Sequence, residues 1–138
     1  MPGRGRERSD FDFIPTVCCA ISDDEAAAYE ACRRTVAFYA TVRTYAPLWE
    51  MHGFGEAAAA VGDAFRSGDL ARMPALVPHE MVDAYCAAGP LDSVRARVMD
   101  AGERGDGVFL TPPTYFIAPD ELAAYQRRIV DAFAPVGA

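Results

Sequence analysis

Two continuous apolar runs limit what this chain can fold into more than any other feature. The first, FDFIPTVCCAIS at residues 11–22, carries β-branched residues at Ile14, Thr16, Val17 and Ile21 and shows no alternation of polar and apolar positions. Such a run is the mark of a strand buried on both faces, as in a parallel sheet. The second is Val108-Phe109-Leu110 within GVFLTPP, stopped by Pro112 and Pro113. Parallel strands need long crossovers, usually helical. The expected fold is therefore α/β and mostly helical, with two short parallel strands near Ile14–Ile21 and Gly107–Leu110.

Helical signals fill the rest. Ser22-Asp23-Asp24-Glu25 reads as a capping box. After it, Tyr29, Cys32, Val36 and Tyr39 recur at spacings of three and four as one apolar stripe, with Arg33 and Arg34 off it. A second piece spans 45–52 and stops at Gly53, a good left-handed cap. A third spans 56–65, and a short turn from Asp69 is broken by Pro74. Pro78 suits the first position of a helix expected to run to Ala88 and end at Gly89. Leu91, Val94, Val98 and Ala101 mark another, and Pro119-Asp120-Glu121 opens the last, with the stripe Leu122, Tyr125, Ile129 and Phe133. The order is a βαβα unit with a large excursion in its first crossover. Two short strands make a poor sheet, so its faces and edges must be covered by these helices or by another chain.

A chain of 138 residues with 51% apolar content fits one domain. Residues 1–10 are Gly- and Arg-rich with nothing to bury, which predicts a disordered leader before a domain at 11–138. The net charge of -7, from 20 acidic and 13 basic residues, argues against nucleic acid as a partner. Every basic residue is Arg, which we read as compositional bias. With no signal-type apolar segment and no run long enough to span a membrane, no membrane role and a cytoplasmic location are expected. The cysteines Cys18, Cys19, Cys32 and Cys86 form no CxxC pair and have no His at zinc-site spacing, so a reduced thiol set without metal is expected. Cys18 and Cys19 should face opposite sides of their strand.

Two segments carry a resemblance. FYATVRTYAPLWEMHGFGE is similar to an aromatic helix pair ending in a Gly-Phe-Gly turn, and AAGPLDSVRARV to a Gly-Thr-Pro-x-x-Val helix start, with Pro90 where Thr is usual. In this order they resemble the C-terminal third to half of the luciferase-like oxidoreductases, a flavin- or deazaflavin-dependent family built on a (β/α)8 barrel. A whole barrel takes roughly 250 residues. The resemblance thus implies a partial (β/α)8 barrel, a luciferase-like C-terminal half-barrel domain: C-terminal strands and helices with a helical insertion. It implies part or remnant of an oxidoreductase or monooxygenase using FMN or a deazaflavin (coenzyme F420), or no cofactor in this chain alone. A complementary half-barrel chain or a homodimer would supply the missing strands. The competing expectation is a non-catalytic helical module for protein interaction or ligand carriage.

In such barrels chemistry sits at the C-terminal ends of strands, here Ala20-Ile21-Ser22 and Leu110-Thr111-Pro112-Pro113. Thr111 offers a hydroxyl to a ligand or simply caps the strand. Tyr39, Tyr45 and Trp49 supply an aromatic wall or core aromatics. Arg43 suits an anion or an ion pair with Glu50. His52 precedes the Gly53 cap, where a structural role is expected, and His79 should be exposed beside Glu80. The expected cofactor-binding set is Arg43, Tyr45, Trp49 and Thr111, with no catalytic residue identified. No GxSxG, GxGxxG, P-loop or HExxH motif occurs.

Overall fold

The computed structural model describes residues 7–135. Its three strands are β1 (Thr16–Ile21), β2 (Cys86–Gly89) and β3 (Phe109–Thr111), and its helices are α1 (Glu25–Ala40), α2 (Ala46–Met51), α3 (Gly55–Arg66), α4 (His79–Tyr85), α5 (Leu91–Glu103) and α6 (Pro119–Phe133). The sheet is parallel with order β2-β1-β3. The strands expected from the two apolar runs pair directly, but β2, which follows β1 in the chain, lies on the other edge of β1. The order is therefore not the sequential one of consecutive strands in a (β/α)8 barrel.

β2 corrects the sequence reading. The helix expected to reach Ala88 ends at Tyr85, and Cys86–Gly89 pairs with Cys18–Ile21 instead. CAAG has no β-branched or aromatic residue, so local propensity favours helix. What prevails is pairing of its backbone with the open edge of β1, a long-range term that a local window cannot register. The first cap also differs. Asp24, not Ser22, caps α1 by accepting from the Ala27 N–H at 3.1 Å, while Ser22 Oγ accepts from the Asp24 N–H.

Helices cover both faces of the sheet. On one side Cys19, Ile21 and Ala87 pack with Val94 and Val98 of α5 and Ile129 of α6. On the other, Ala20 and Cys86 pack under Ala28, Cys32 and Val36 of α1, with Met81 and Val82 of α4 and Val61 of α3 in the same cluster. Cys18 joins this second cluster and Cys19 the first, so the adjacent thiols face opposite ways as expected. Tyr125 and Ile129 of the α6 stripe are buried, and so is Val36 at 3% exposure.

Of the expected leader, residues 1–6 lie outside the described residues. Residues 8–10 form a 3-10 turn, and Arg8 pairs with Asp106 at 2.6 Å. Asp106 also accepts from the Phe13 N–H, and these two contacts, the backbone bond first, hold its carboxyl below the usual range. Gly105 makes the same junction possible, since a Cβ there would lie 2.4 Å from the Phe13 carbonyl oxygen. Gly53 takes φ +82, the left-handed cap its position predicts.

Candidate functional site

One row across the sheet prepares the site. Cys86, Cys18 and Thr111 are register partners on β2, β1 and β3. All three border a cavity of about 310 Å³ between the sheet and the helices on the α1 side. Thr35, Val36 and Tyr39 of α1 form a second wall, and Tyr45, Trp49 and Tyr85 a third. The segment after β3 closes the cavity with Pro112, Thr114 and Tyr115. That segment is tied to α1, because the buried Thr35 hydroxyl accepts from the Thr114 N–H at 3.1 Å.

The aromatic rings form a connected series. Phe38 stacks on Tyr115 at 3.6 Å between centroids, and Tyr115, Tyr39, Tyr45, Trp49 and Tyr85 then follow edge to face. Such packing gives a rigid, largely apolar surface. Burial raises the Tyr39 and Tyr85 hydroxyls above their ordinary value, and a bond to Tyr115 raises Tyr39 further, so both remain proton donors at neutral pH. The Trp49 indole N–H is buried without a partner among the described residues. Among the described residues no Asp, Glu, Arg or His side chain borders this cavity.

Three of the four residues expected to hold a cofactor, Tyr45, Trp49 and Thr111, come together on this cavity. Arg43 does not. It borders a neighbouring cavity of about 550 Å³ with Glu50 and Arg66, and Trp49 is the wall common to both. The ion pair weighed between Arg43 and Glu50 is not formed among the described residues. His52 bonds through Nδ1 to the Tyr85 hydroxyl at 2.6 Å, holding a ring of the cavity wall. His79 stacks on Tyr29 at 4.0 Å and its Nε2 lies 3.7 Å from Asp83, so its carboxylate neighbour is not the expected Glu80.

The cysteines are the feature the sequence reading missed. The sulfurs of Cys18, Cys32 and Cys86, from β1, α1 and β2, lie within 4.8 Å of one another, a grouping that their spacing in the sequence does not indicate. Spacing rules find ligands close in sequence, whereas these three converge only through strand pairing and the docking of α1. Bonds from Cys32 and then Cys86 hold the Cys18 thiol below its ordinary range, against the effect of burial. Cys32 and Cys86 are raised in turn, first by their bonds to Cys18. On the far side of the sheet, burial pushes Cys19 up to about 12.

Comparison with known proteins matches residues 3–108 to a family described as luciferase-like monooxygenase. An uncharacterised protein of Mycobacterium tuberculosis is 31% identical over 93 residues, covering 65% of this chain and 27% of the relative. A second protein of that organism, provisionally named a coenzyme F420-dependent oxidoreductase, is 29% identical over 103 residues, covering 70% and 30%. The 5,10-methylenetetrahydromethanopterin reductase of Methanolobus tindarius is 34% identical over 96 residues, covering 68% and 29%. The chain therefore spans less than a third of the length of these curated relatives. No solved structure matches.

Proposed function

Because the chain belongs to the luciferase-like monooxygenase family, we propose that it forms one wall of a flavin- or deazaflavin-dependent oxidoreductase site. The observation that carries this reading is the cavity bordered by Tyr45, Trp49, Tyr85 and Tyr115 above the row Cys86-Cys18-Thr111. Small-molecule sites are concave, mostly apolar spaces of about 300–1,000 Å³ with a few polar groups that fix orientation. At about 310 Å³ this one suits a planar ring system and little more. The Thr111 hydroxyl and the Tyr39 and Tyr85 hydroxyls offer polar contacts to the ring edge.

The coenzyme F420 named in one relative favours the deazaflavin over FMN. When bound, that group supplies hydride-transfer chemistry, and the protein's part is to hold the ring and exclude water. With no cation on the cavity among the described residues, the phosphate-bearing tail would be held elsewhere, by Arg43 across Trp49 or by further barrel strands. Those strands come from a complementary half-barrel or a second copy. The β3 edge, unpaired among the described residues and carrying the exposed Phe109, offers the surface for it.

A second reading, a ligand-carrying module without catalysis, is favoured by one observation: α1 covers the sheet face that a barrel reserves for its interior. Trp49, the single tryptophan, is the reporter for both. Titration with lumiflavin, FMN and coenzyme F420 should quench its fluorescence with weak affinity, and FMN binding tighter than phosphate-free lumiflavin, with the gain lost in Arg43→Ala, would assign the tail to Arg43. Unchanged Trp49 emission with all three sinks the cavity as a ring site. Turnover only after the complementary half is added separates the oxidoreductase from the carrier.

A further inference from the structure

The three converging thiols have a geometry of their own, and two of them, Cys18 and Cys86, also floor the cavity proposed for the ring. Cys18 and Cys86 sit side by side on paired strands, their side chains on the same face. Cys32 descends onto them from α1. The three sulfurs lie within 4.8 Å of one another, and Cys18 and Cys86 border the cavity while Cys32 closes the site from behind. Zinc–thiolate bonds of about 2.3 Å in a tetrahedron place sulfurs about 3.8 Å apart. From 4.8 Å, each sulfur would need to move at most about 0.6 Å to reach that spacing.

We propose that Cys18, Cys32 and Cys86 bind a single Zn²⁺ ion through three thiolates, leaving its fourth coordination position open to the cavity. Thiolate sets select soft or borderline ions over magnesium and calcium. Charge decides among the ions that remain. Among the described residues no cationic side chain borders the cavity to offset an excess of negative charge. Three thiolates leave a net charge of about -1 around a divalent ion but about -2 around copper(I), and the smaller buried charge is favoured. Binding releases the thiol protons to solvent. The open position, filled by water in the resting protein, matches the arrangement of three protein ligands plus one exchangeable ligand. Cys19 provides an internal contrast, a thiol of the same strand packed in the opposite core and outside the three-sulfur group. The proposal does not depend on the aromatic cavity accepting a flavin.

The test uses the full chain, reduced and freed of metal, titrated with Co²⁺ as the spectroscopic stand-in for Zn²⁺. The expected result is one Co²⁺ per chain, with intense sulfur-to-cobalt charge-transfer absorption and the visible bands of a four-coordinate site, displaced by equimolar Zn²⁺. Cys86→Ser should weaken Co²⁺ binding about tenfold or more, whereas Cys19→Ala should leave the spectrum unchanged. A second measurement on the unaltered chain covers the event that a cysteine variant does not fold. Zn²⁺ should slow iodoacetamide alkylation of Cys18, read by peptide mass spectrometry, about tenfold or more. Absence of charge-transfer absorption overturns the proposal, as does its loss in folded Cys19→Ala. An alkylation rate at Cys18 that is the same with and without Zn²⁺ overturns it equally, and the triad is then a set of ordinary core thiols.

Discussion

Val36 and Arg34 lie two positions apart on α1 and test the helix face residue by residue. Val36 is 3% exposed in the cluster with Cys32, so Val36→Asp places an unpaired charge in the core and should cost about 3 kcal/mol or more. Arg34 pairs at the surface with Glu30 and Glu121, and Arg34→Asp should cost about 1 kcal/mol. Urea midpoints decide, and similar values for the two variants would remove the face assignment. The thiols differ just as sharply. Cys18 is half-buried on the cavity with a lowered pKa, whereas Cys19 is fully buried and pushed up to about 12. Only the thiolate is nucleophilic. In the metal-free protein at neutral pH, iodoacetamide should therefore modify Cys18 first and leave Cys19 intact until unfolding. Equal labelling of the pair by mass spectrometry would contradict this.

Between elements, the contact of α1 with α4 carries a pH dependence. The Tyr29 hydroxyl donates to Asp83 at 2.5 Å, and burial, then that bond, push its pKa up to about 12. A raised folded value means the native state keeps a proton that the unfolded chain loses first. This share of stability is fully present below about 10 and is lost as pH rises through about 12. Stability should decline over that alkaline range, and Tyr29→Phe should flatten part of the decline. An unaltered profile in the variant would exclude the α1–α4 bond as its source. The junction ahead of β1 and β3 depends on contact distance instead. Gly105→Ala sets a Cβ against the Phe13 carbonyl oxygen and strains the turn where the Asp106 N–H donates to that oxygen. A loss of about 2 kcal/mol is expected, read by thermal melting. A melting temperature equal to that of the unaltered protein would show that the turn yields.

For the molecule as a whole, the sheet leaves two edges, β2 and β3, unpaired among the described residues, and Phe109 on the β3 strand is 60% exposed. Unpaired strand edges of this kind template association. Sedimentation should show concentration-dependent self-association of the chain alone, reduced by Phe109→Lys, which sets a charge on the β3 edge. A monomer at all concentrations would leave the complementary half, and not a second copy, as the route to a complete site.

The sequence alone determined the elements whose signal is local. The centres of the expected patterns are buried, Cys19–Ile21 of β1, Cys32 and Val36 of α1, and Tyr125 and Ile129 of α6, because each pattern repeats over several turns or strand positions. Their ends are not: β1 begins at Thr16 with Ile14 exposed, and Tyr39 is exposed. Cys18 and Cys19 were separable for the same reason. Tertiary structure decided the rest. Cys86–Gly89 became a strand only because the edge of β1 was there to pair with it. Arg43 fell on the far side of Trp49 because the short α2 turns its two sides to different cavities. Cys18, Cys32 and Cys86 met only when β2 docked beside β1 and α1 closed over both, since convergence of residues distant in the chain is a property of packing and leaves no trace in spacing.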